Sequence, residues 1–246
     1  QVGLQLGGGD KPSSADYAKV MEQARERPDR HLIQTILLRS MSAAEYRPDN
    51  AGHFGLGLKQ SAHFTSPIRR YADLIVHRAI GHILDGGTGK DFFYSHDKLT
   101  ALGEHCSVTE RRADEATRDA IMSLKCEYMS GRVGEDFIGV ISGVTSFGLF
   151  VELDQLFIDG LVHITNLEND YYHFDPIGHQ LNGERSGKEY RLTDRVKVRL
   201  ARVDKDDRKI DFQMLAHPVD EHGEQLPEKG GRKSTAKKPE KSRSRS

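Results

Sequence analysis

From residue 137 onward the hydrophobic pattern of this sequence changes period. The runs FIGVISGV, SFGLFVEL, DGLVHITNL, DRVKVRLARVD and RKIDFQML are short, β-rich and separated by Gly, Asp and Asn turns. Strands this short bury an apolar face only as part of a sheet. Five of them within roughly eighty residues predict a small closed barrel of the OB type. The stretch between the third and fourth runs, ENDYYHFDPIGHQLNGERSGKEY, is rich in aromatics and histidine and reads as a loop with a short helix. After His217 the apolar content falls away, and GGRKSTAKKPEKSRSRS reads as a disordered basic tail.

Upstream the period is helical. Residues 1–13 are Gly-rich and irregular, and 14–26 and 30–45 read as two helices separated by Pro28, the second with Leu32, Ile33, Ile36 and Leu37 on one side. Within residues 51–60 the segment HFGLGLK alternates Phe54, Leu56 and Leu58 with Gly and polar residues, as a short strand does. Next comes HFTSPIRRYADLIVHRAIGHI, a helix expected to open with Ser66 as N-cap and Pro67 at the first helical position. Ile68, Tyr71, Ile75, Ala79 and Ile83 follow at helical spacing. The loop DGGTGKDFFYS leaves Ser95 to cap a long helix from His96 to about Met129, with Gly103 and Ser107 as points where it could break. Its segment TERRADEATRD reads as a solvated face laced with charge pairs.

Two arginines in the first turn of the third helix are an odd choice for stability alone, because that end already carries partial positive charge and unpaired amide donors. A phosphate oxygen would resolve the conflict. Turn amides at Ser66 and a guanidinium fork from Arg69 or Arg70 would hold it. The spacing equally allows a plainer arrangement, in which Arg69 pairs with Asp73 one turn on and both arginines are ordinary surface residues.

Composition excludes several classes. With 36% hydrophobic residues the chain can build a core. No run approaches the ~20 apolar residues that span a bilayer, and the first residues lack the layout of a secretory signal. No initiator Met is present, so the chain is expected to begin partway through a larger protein. Cys106 and Cys126 would lie roughly 30 Å apart along the long helix, too far to bridge, which fits a reducing, cytoplasmic setting. The net charge of −1 hides an asymmetry: residues 229–246 hold eight Lys or Arg and one Glu, a net +7 against −8 for the remainder. Twelve histidines occur without H-x-x-x-H or C-x-x-C spacing, so no structural zinc is expected. GGTGKD is only superficially like a phosphate loop, and no nucleophile triad can be assembled.

The barrel region carries the clearest chemistry. Phe147 and Phe150, with His163 in the next strand, can form an aromatic platform of the kind that binds single-stranded nucleic acid by stacking. The run FIGVISGVTSFGLFVELDQLFIDGLVHITNL resembles an S1-type RNA-binding domain, a likeness that extends from residue 137 to about 215. In that family the RNA face uses two Phe, a His, an Asp and an Arg. The matching positions here are Phe147, Phe150, His163, Asp204 and Arg208. Upstream, HFTSPIRRYADL and HCSVTERRADEATRD are similar to the end of the catalytic domain of the RNase II superfamily, most of all to its ribonuclease R branch, over nearly everything before residue 133. The lysine-rich tail fits the same branch. The resemblance implies a processive exoribonuclease that hydrolyses RNA from its 3′ end with magnesium held by clustered aspartates, and it gives the first arginine of SPIRR, here Arg69, a phosphate contact at the active site.

One family element is missing. Nothing before residue 63 resembles the D-x-x-x-x-x-D-x-D-D cluster that binds magnesium, and no cold-shock domains precede it. The only D-x-D-D, at Asp204, Asp206 and Asp207, lies in the hairpin VDKDDRKI, where turn chemistry explains the acids.

These expectations combine into an α+β chain: a mostly helical carboxyl-terminal part of an RNB catalytic domain (1–132), an all-β S1 barrel (133–216) and a disordered basic tail (217–246). Arg69 is expected to be catalytic, with Ser66, Arg70, Phe147, Phe150, His163, Asp204 and Arg208 binding RNA. The magnesium ligands are expected outside this chain, which alone is expected to be inactive. Single-stranded and structured RNA are the expected partners, with ribosomes or trans-translation complexes through the tail and no membrane. The rival reading is a noncatalytic RNA-binding or ribosome-associated module that uses the barrel alone.

Overall fold

The computed structural model describes residues 3–27, 29–168 and 170–226. The chain divides into two compact units, Gln1–Lys125 and Cys126–Ser246. In the first, α1 (Ser14–Gln23) opens on a capping box in which Ser13 and Asp16 satisfy each other's backbone N–H. Helix α2 (Arg30–Ser40) packs Ile33 against Val20 and Ala24 of the first helical segment, with Leu4 and Leu37 around them. It stops five residues short of the expected end, where Met41 turns extended.

The expected strand at Phe54, Leu56 and Leu58 does not form. Phe54–Leu56 is a single 3₁₀ turn, because His53 Nδ1 accepts the Leu56 N–H at 3.2 Å and Gly57, at φ +64°, folds Leu58 back to bridge His53. The alternating glycines were turn chemistry.

The SPIRR segment also differs from expectation. Ser66 is not an N-cap. Residues 66–70 form a separate turn, with the Arg69 and Arg70 N–H groups donating to the Ser66 carbonyl, and α3 (Tyr71–Leu84) starts only after an extended Arg70. The cause is Asp73, whose side chain is fully buried. Its Oδ2 accepts the Ser66 N–H at 2.8 Å and an Arg70 guanidinium N–H at 3.0 Å, tying both ends of the turn to the helix. Burial alone would raise this carboxyl, but the Ser66 amide and Arg70 outweigh it and hold it below its usual range. Ile68, expected on the apolar face, is fully exposed because it sits in the turn.

Helix α4 (His96–Ser130) is capped by Ser95 and runs unbroken through Gly103 and Ser107. Those two residues mark a docking point. A Cβ on Gly103 would stand 2.4 Å from the Tyr46 carbonyl oxygen, while Ser107 Oγ accepts the Tyr46 N–H at 2.9 Å and donates to the Gly103 carbonyl.

In the second unit β1 (Asp136–Thr145), β2 (Gly148–Leu153), β3 (Asp159–His163), β7 (Arg195–Asp204) and β8 (Lys209–Ala216) form the expected closed barrel, in the order β1-β2-β3-β8-β7. All pairs are antiparallel except β3 with β8, whose parallel pairing at Leu161 and Asp211 closes the sheet. Ile141, Leu149, Val151, Val162, Val198, Leu200 and Phe212 fill the interior. Gly160 lies over Phe212, and a Cβ there would be 2.3 Å from the ring.

The insertion is a three-stranded antiparallel sheet, not the expected loop with a helix: β4 (Tyr172–Asp175), β5 (Gln180–Gly183) and β6 (Glu189–Arg191). Carboxylates make its turns. Asp175 accepts the N–H groups of Ile177 and Gly178. Asp170 accepts the Ser186 hydroxyl and the N–H groups of Ser186, Arg185 and Tyr171, which together hold it well below the usual carboxylate range.

Residues 217–226, assigned to the tail on composition, also pack. His217 is buried with Nε2 3.0 Å from Asp194, Val219 is buried with its N–H on the Arg195 carbonyl, and Val219 bridges Gln225. One apolar anchor and one histidine paired with an acid suffice where composition alone looks polar. The remainder of the tail, 227–246, lies outside the described residues.

Two stability predictions follow from these contacts. Gly160→Val should destabilise the barrel by about 1–3 kcal/mol or more through overpacking on Phe212, measured by denaturant unfolding. For Asp73, the lowered carboxyl contributes stability that is fully present above the unfolded pKa, about 4, and lost as pH falls through the folded value. Asp73→Asn should therefore lower the melting temperature near neutral pH, and its deficit against wild type should shrink on acidification below about pH 4. A deficit independent of pH would exclude the ionised carboxylate as the cause.

Candidate nucleic-acid interface

In the barrel, Phe147 sits in the turn before β2 and is 47% exposed, while Phe150 points outward from β2 between the buried Leu149 and Val151. Their ring centroids are 6.1 Å apart, edge to face. Phe150 pairs with Gly143 of β1, and a Cβ on that glycine would touch its ring at 3.3 Å, so the ring lies over a bare stretch of backbone. His163, exposed at the end of β3, pairs with Gly148, where a Cβ would meet the Val162 carbonyl oxygen at 2.3 Å. The Ile164 N–H donates to the Phe147 carbonyl at 2.9 Å, which holds the end of β3 beside the Phe147 turn. The structure thus gathers Phe147, Phe150 and His163 at one end of the β2–β3 ladder.

The row through Phe150 continues across Leu161 and Asp211 to Arg202. One step away from the histidine, Glu152 lies directly opposite Asp159, two like charges that mark an acidic border. The cations of the neighbouring strands face carboxylates: Arg195 with Asp154, Arg199 with Asp136 at 2.7 Å, Arg202 with Asp204, and Lys209 with Asp207 at 2.8 Å.

Asp204 and Arg208 belong to the β7–β8 hairpin. The Asp204 carboxylate accepts the Asp207 N–H at 3.0 Å and pairs with Arg202, so the backbone amides of its own turn hold it below the usual range. Arg208, at φ +53°, occupies the left-handed position that this turn requires. The D-x-D-D acids are hairpin acids, as turn chemistry indicated.

In the first unit the two arginines of SPIRR have separate tasks. Arg70 is bound to Asp73, so the expected alternative of an Arg69–Asp73 pair does not occur. Arg69 is exposed and has no ion-pair partner among the described residues. Near Arg70 and Asp73 lie Tyr46, His63 and Glu110. The Tyr46 hydroxyl is 3.0 Å from His63 Nδ1, and burial, with the Glu110 carboxylate as the next cause, pushes its pKa up to about 12. The phenol therefore stays protonated as a donor.

Sequence reasoning overlooked three residues at these sites. Tyr46 and Glu110 are 64 positions apart and leave no local signal. Thr165 does leave one: a hydroxyl two residues after a strand-ending histidine is placed to bond the local turn, and its Oγ1 lies 2.8 Å from His163 Nδ1.

Comparison with known proteins agrees with both halves. Residues 5–86 match the RNB domain and residues 131–215 the S1 RNA binding domain. Ribonuclease R of Vibrio cholerae is 56% identical over 224 residues, covering 87% of this chain and 27% of the relative. That of Escherichia coli is 54% identical, covering 88% and 28%. The chain thus spans little more than a quarter of the length of these curated relatives. Among solved structures, Mycoplasma genitalium RNase R in complex with ribose methylated single-stranded RNA superposes with a TM-score of 0.75 at 29% identity, over 84% of this chain and 32% of that one. An RNB segment joined to an S1 barrel, at such identity, places this chain in the ribonuclease R family.

Proposed function

We propose that this chain is the RNA-gripping, carboxyl-terminal portion of a processive exoribonuclease that hydrolyses RNA, structured RNA included, from its 3′ end to nucleoside monophosphates. The observation that carries the reading is the outward Phe147, Phe150 and His163 cluster on the S1 barrel. Exposed rings of this kind hold bases by stacking, which is indifferent to sequence. The single-stranded RNA named with the Mycoplasma genitalium relative supports the same class of partner. Asp204 and Arg208 would extend the contact along the hairpin.

In the complete enzyme Arg69 is the catalytic residue of this chain. Its guanidinium, left unpaired because Arg70 serves Asp73, neutralises charge developing on the scissile phosphate. Ser66 and Arg70 fix the turn that presents it, and their remaining polar groups lie close to the same phosphate. Magnesium would supply an activated water in such an enzyme. The residues described here do not fit that ion, since no group of three or more His, Cys, Asp or Glu is placed to hold one among them. On the family resemblance we assign its ligands to residues outside this chain, and no step here runs through it. No helix among the described residues is long and apolar enough to cross a membrane. The cationic residues 229–246, outside the described residues, would add a sequence-independent attraction to RNA phosphates or to a ribosome or trans-translation complex, in the cytoplasm.

Two experiments test the proposal. Phe147→Ala with Phe150→Ala should weaken binding of a single-stranded RNA by about 1–3 kcal/mol per lost stacked base, with the circular dichroism of the barrel unchanged. Unchanged affinity would remove the platform. In the complete enzyme, Arg69→Lys keeps the charge but loses the planar fork, and should slow turnover by roughly a hundredfold or more with little change in binding. Near-normal turnover would return Arg69 to an ordinary surface role.

A further inference from the structure

Of the three side chains of the platform, His163 alone carries hydrogen-bonding nitrogens, so the position of its proton decides what a strand lying there would meet. His163 caps the single 3₁₀ turn Ile164–Asn166, and the Thr165 backbone N–H lies 3.3 Å from His163 Nδ1. A main-chain amide can only donate, so this long contact favours, without fixing, an Nδ1 that presents its lone pair. Thr165 Oγ1 is 2.8 Å from the same nitrogen. With Nδ1 an acceptor, the hydroxyl is also a donor. Two donors converging on Nδ1 select the tautomer with the proton on Nε2, and Nε2 has no protein partner among the described residues. The bond from the Ile164 N–H to the Phe147 carbonyl holds this turn beside the phenylalanine, so ring and platform keep one orientation.

We propose that Thr165 is a positioning residue for RNA binding: its hydroxyl locks the tautomer and ring plane of His163 so that Nε2–H donates to an acceptor oxygen of the strand stacked on Phe147 and Phe150. The inference rests on the platform reading above and adds to it the one directional bond that stacking lacks. Thr165 itself need not touch RNA.

The test uses the 246-residue chain with Thr165→Val, Thr165→Ser, His163→Ala and the double variant Thr165→Val with His163→Ala. Affinity for a single-stranded uridine oligonucleotide is read by fluorescence anisotropy, and the His163 tautomer by long-range proton–nitrogen NMR of the ring. Wild type should show the proton on Nε2, and Thr165→Val a mixture of tautomers. Thr165→Val should weaken binding about two- to tenfold, the worth of one hydrogen bond. Thr165→Ser should match wild type. In the His163→Ala background, Thr165→Val should cost nothing further. An unchanged tautomer in Thr165→Val, or the same loss with and without His163, overturns the proposal. Weakened His163→Ala beside unaffected Thr165→Val overturns it while leaving the platform in place. Wild-type affinity in His163→Ala would overturn the histidine's part in the platform, and this inference with it.

Discussion

Closure of the barrel depends on a single close approach. Five short strands leave two open edges unless β3 lies alongside β8, and that pairing brings Gly160 onto the Phe212 ring with no room for a side chain. Once closed, the sheet puts Phe150, Leu161 and Asp211 in one outward row and sends Leu149, Val151 and Val162 into the interior. A slip of one residue would exchange the two sets. The outward orientation of the Phe150 ring is thus inherited from a contact on the other side of the sheet.

The first unit solves a comparable problem with charge. Asp73 is wholly buried, which is tolerable only because the Ser66 amide and Arg70 meet its carboxylate. That arrangement halts the helix at Tyr71 and takes up one arginine. Its neighbour is thereby left in solvent on a turn pinned at both ends. Rigidity and availability, often opposed in a long side chain, are here divided between adjacent residues of the same type.

Much of this was legible in the sequence. The barrel strands announced themselves because apolar residues alternate within runs bounded by turn residues, and the aromatic trio stood out as rings at outward positions. What was not legible came from partners distant in the chain or from turns made by side chains. The bond from Asp73 to Ser66 defeats a reading of Ser66-Pro67 that helix rules alone favour. In HFGLGLK, strand-like alternation and a turn share one pattern, and His53 decides between them. The insertion became a sheet because Asp170 gathers four donors across 16 positions, a closure no window of local pattern contains. Residues 217–226 look like tail by composition, yet Val219 and His217 find apolar and acidic neighbours already in place.

The internal pairing of the β7 and β8 cations bears on motion. A phosphate approaching Arg195, Arg199, Arg202 or Lys209 has to compete with the carboxylate already there and gains only the difference. Stacking, by contrast, treats each base alike. A strand advanced by one nucleotide on such a surface exchanges every contact for an equivalent one and leaves no deep electrostatic well behind. On the proposed reading its path would be smooth at the scale of a single step, and the barrel would hold an RNA strand while offering little friction to its passage.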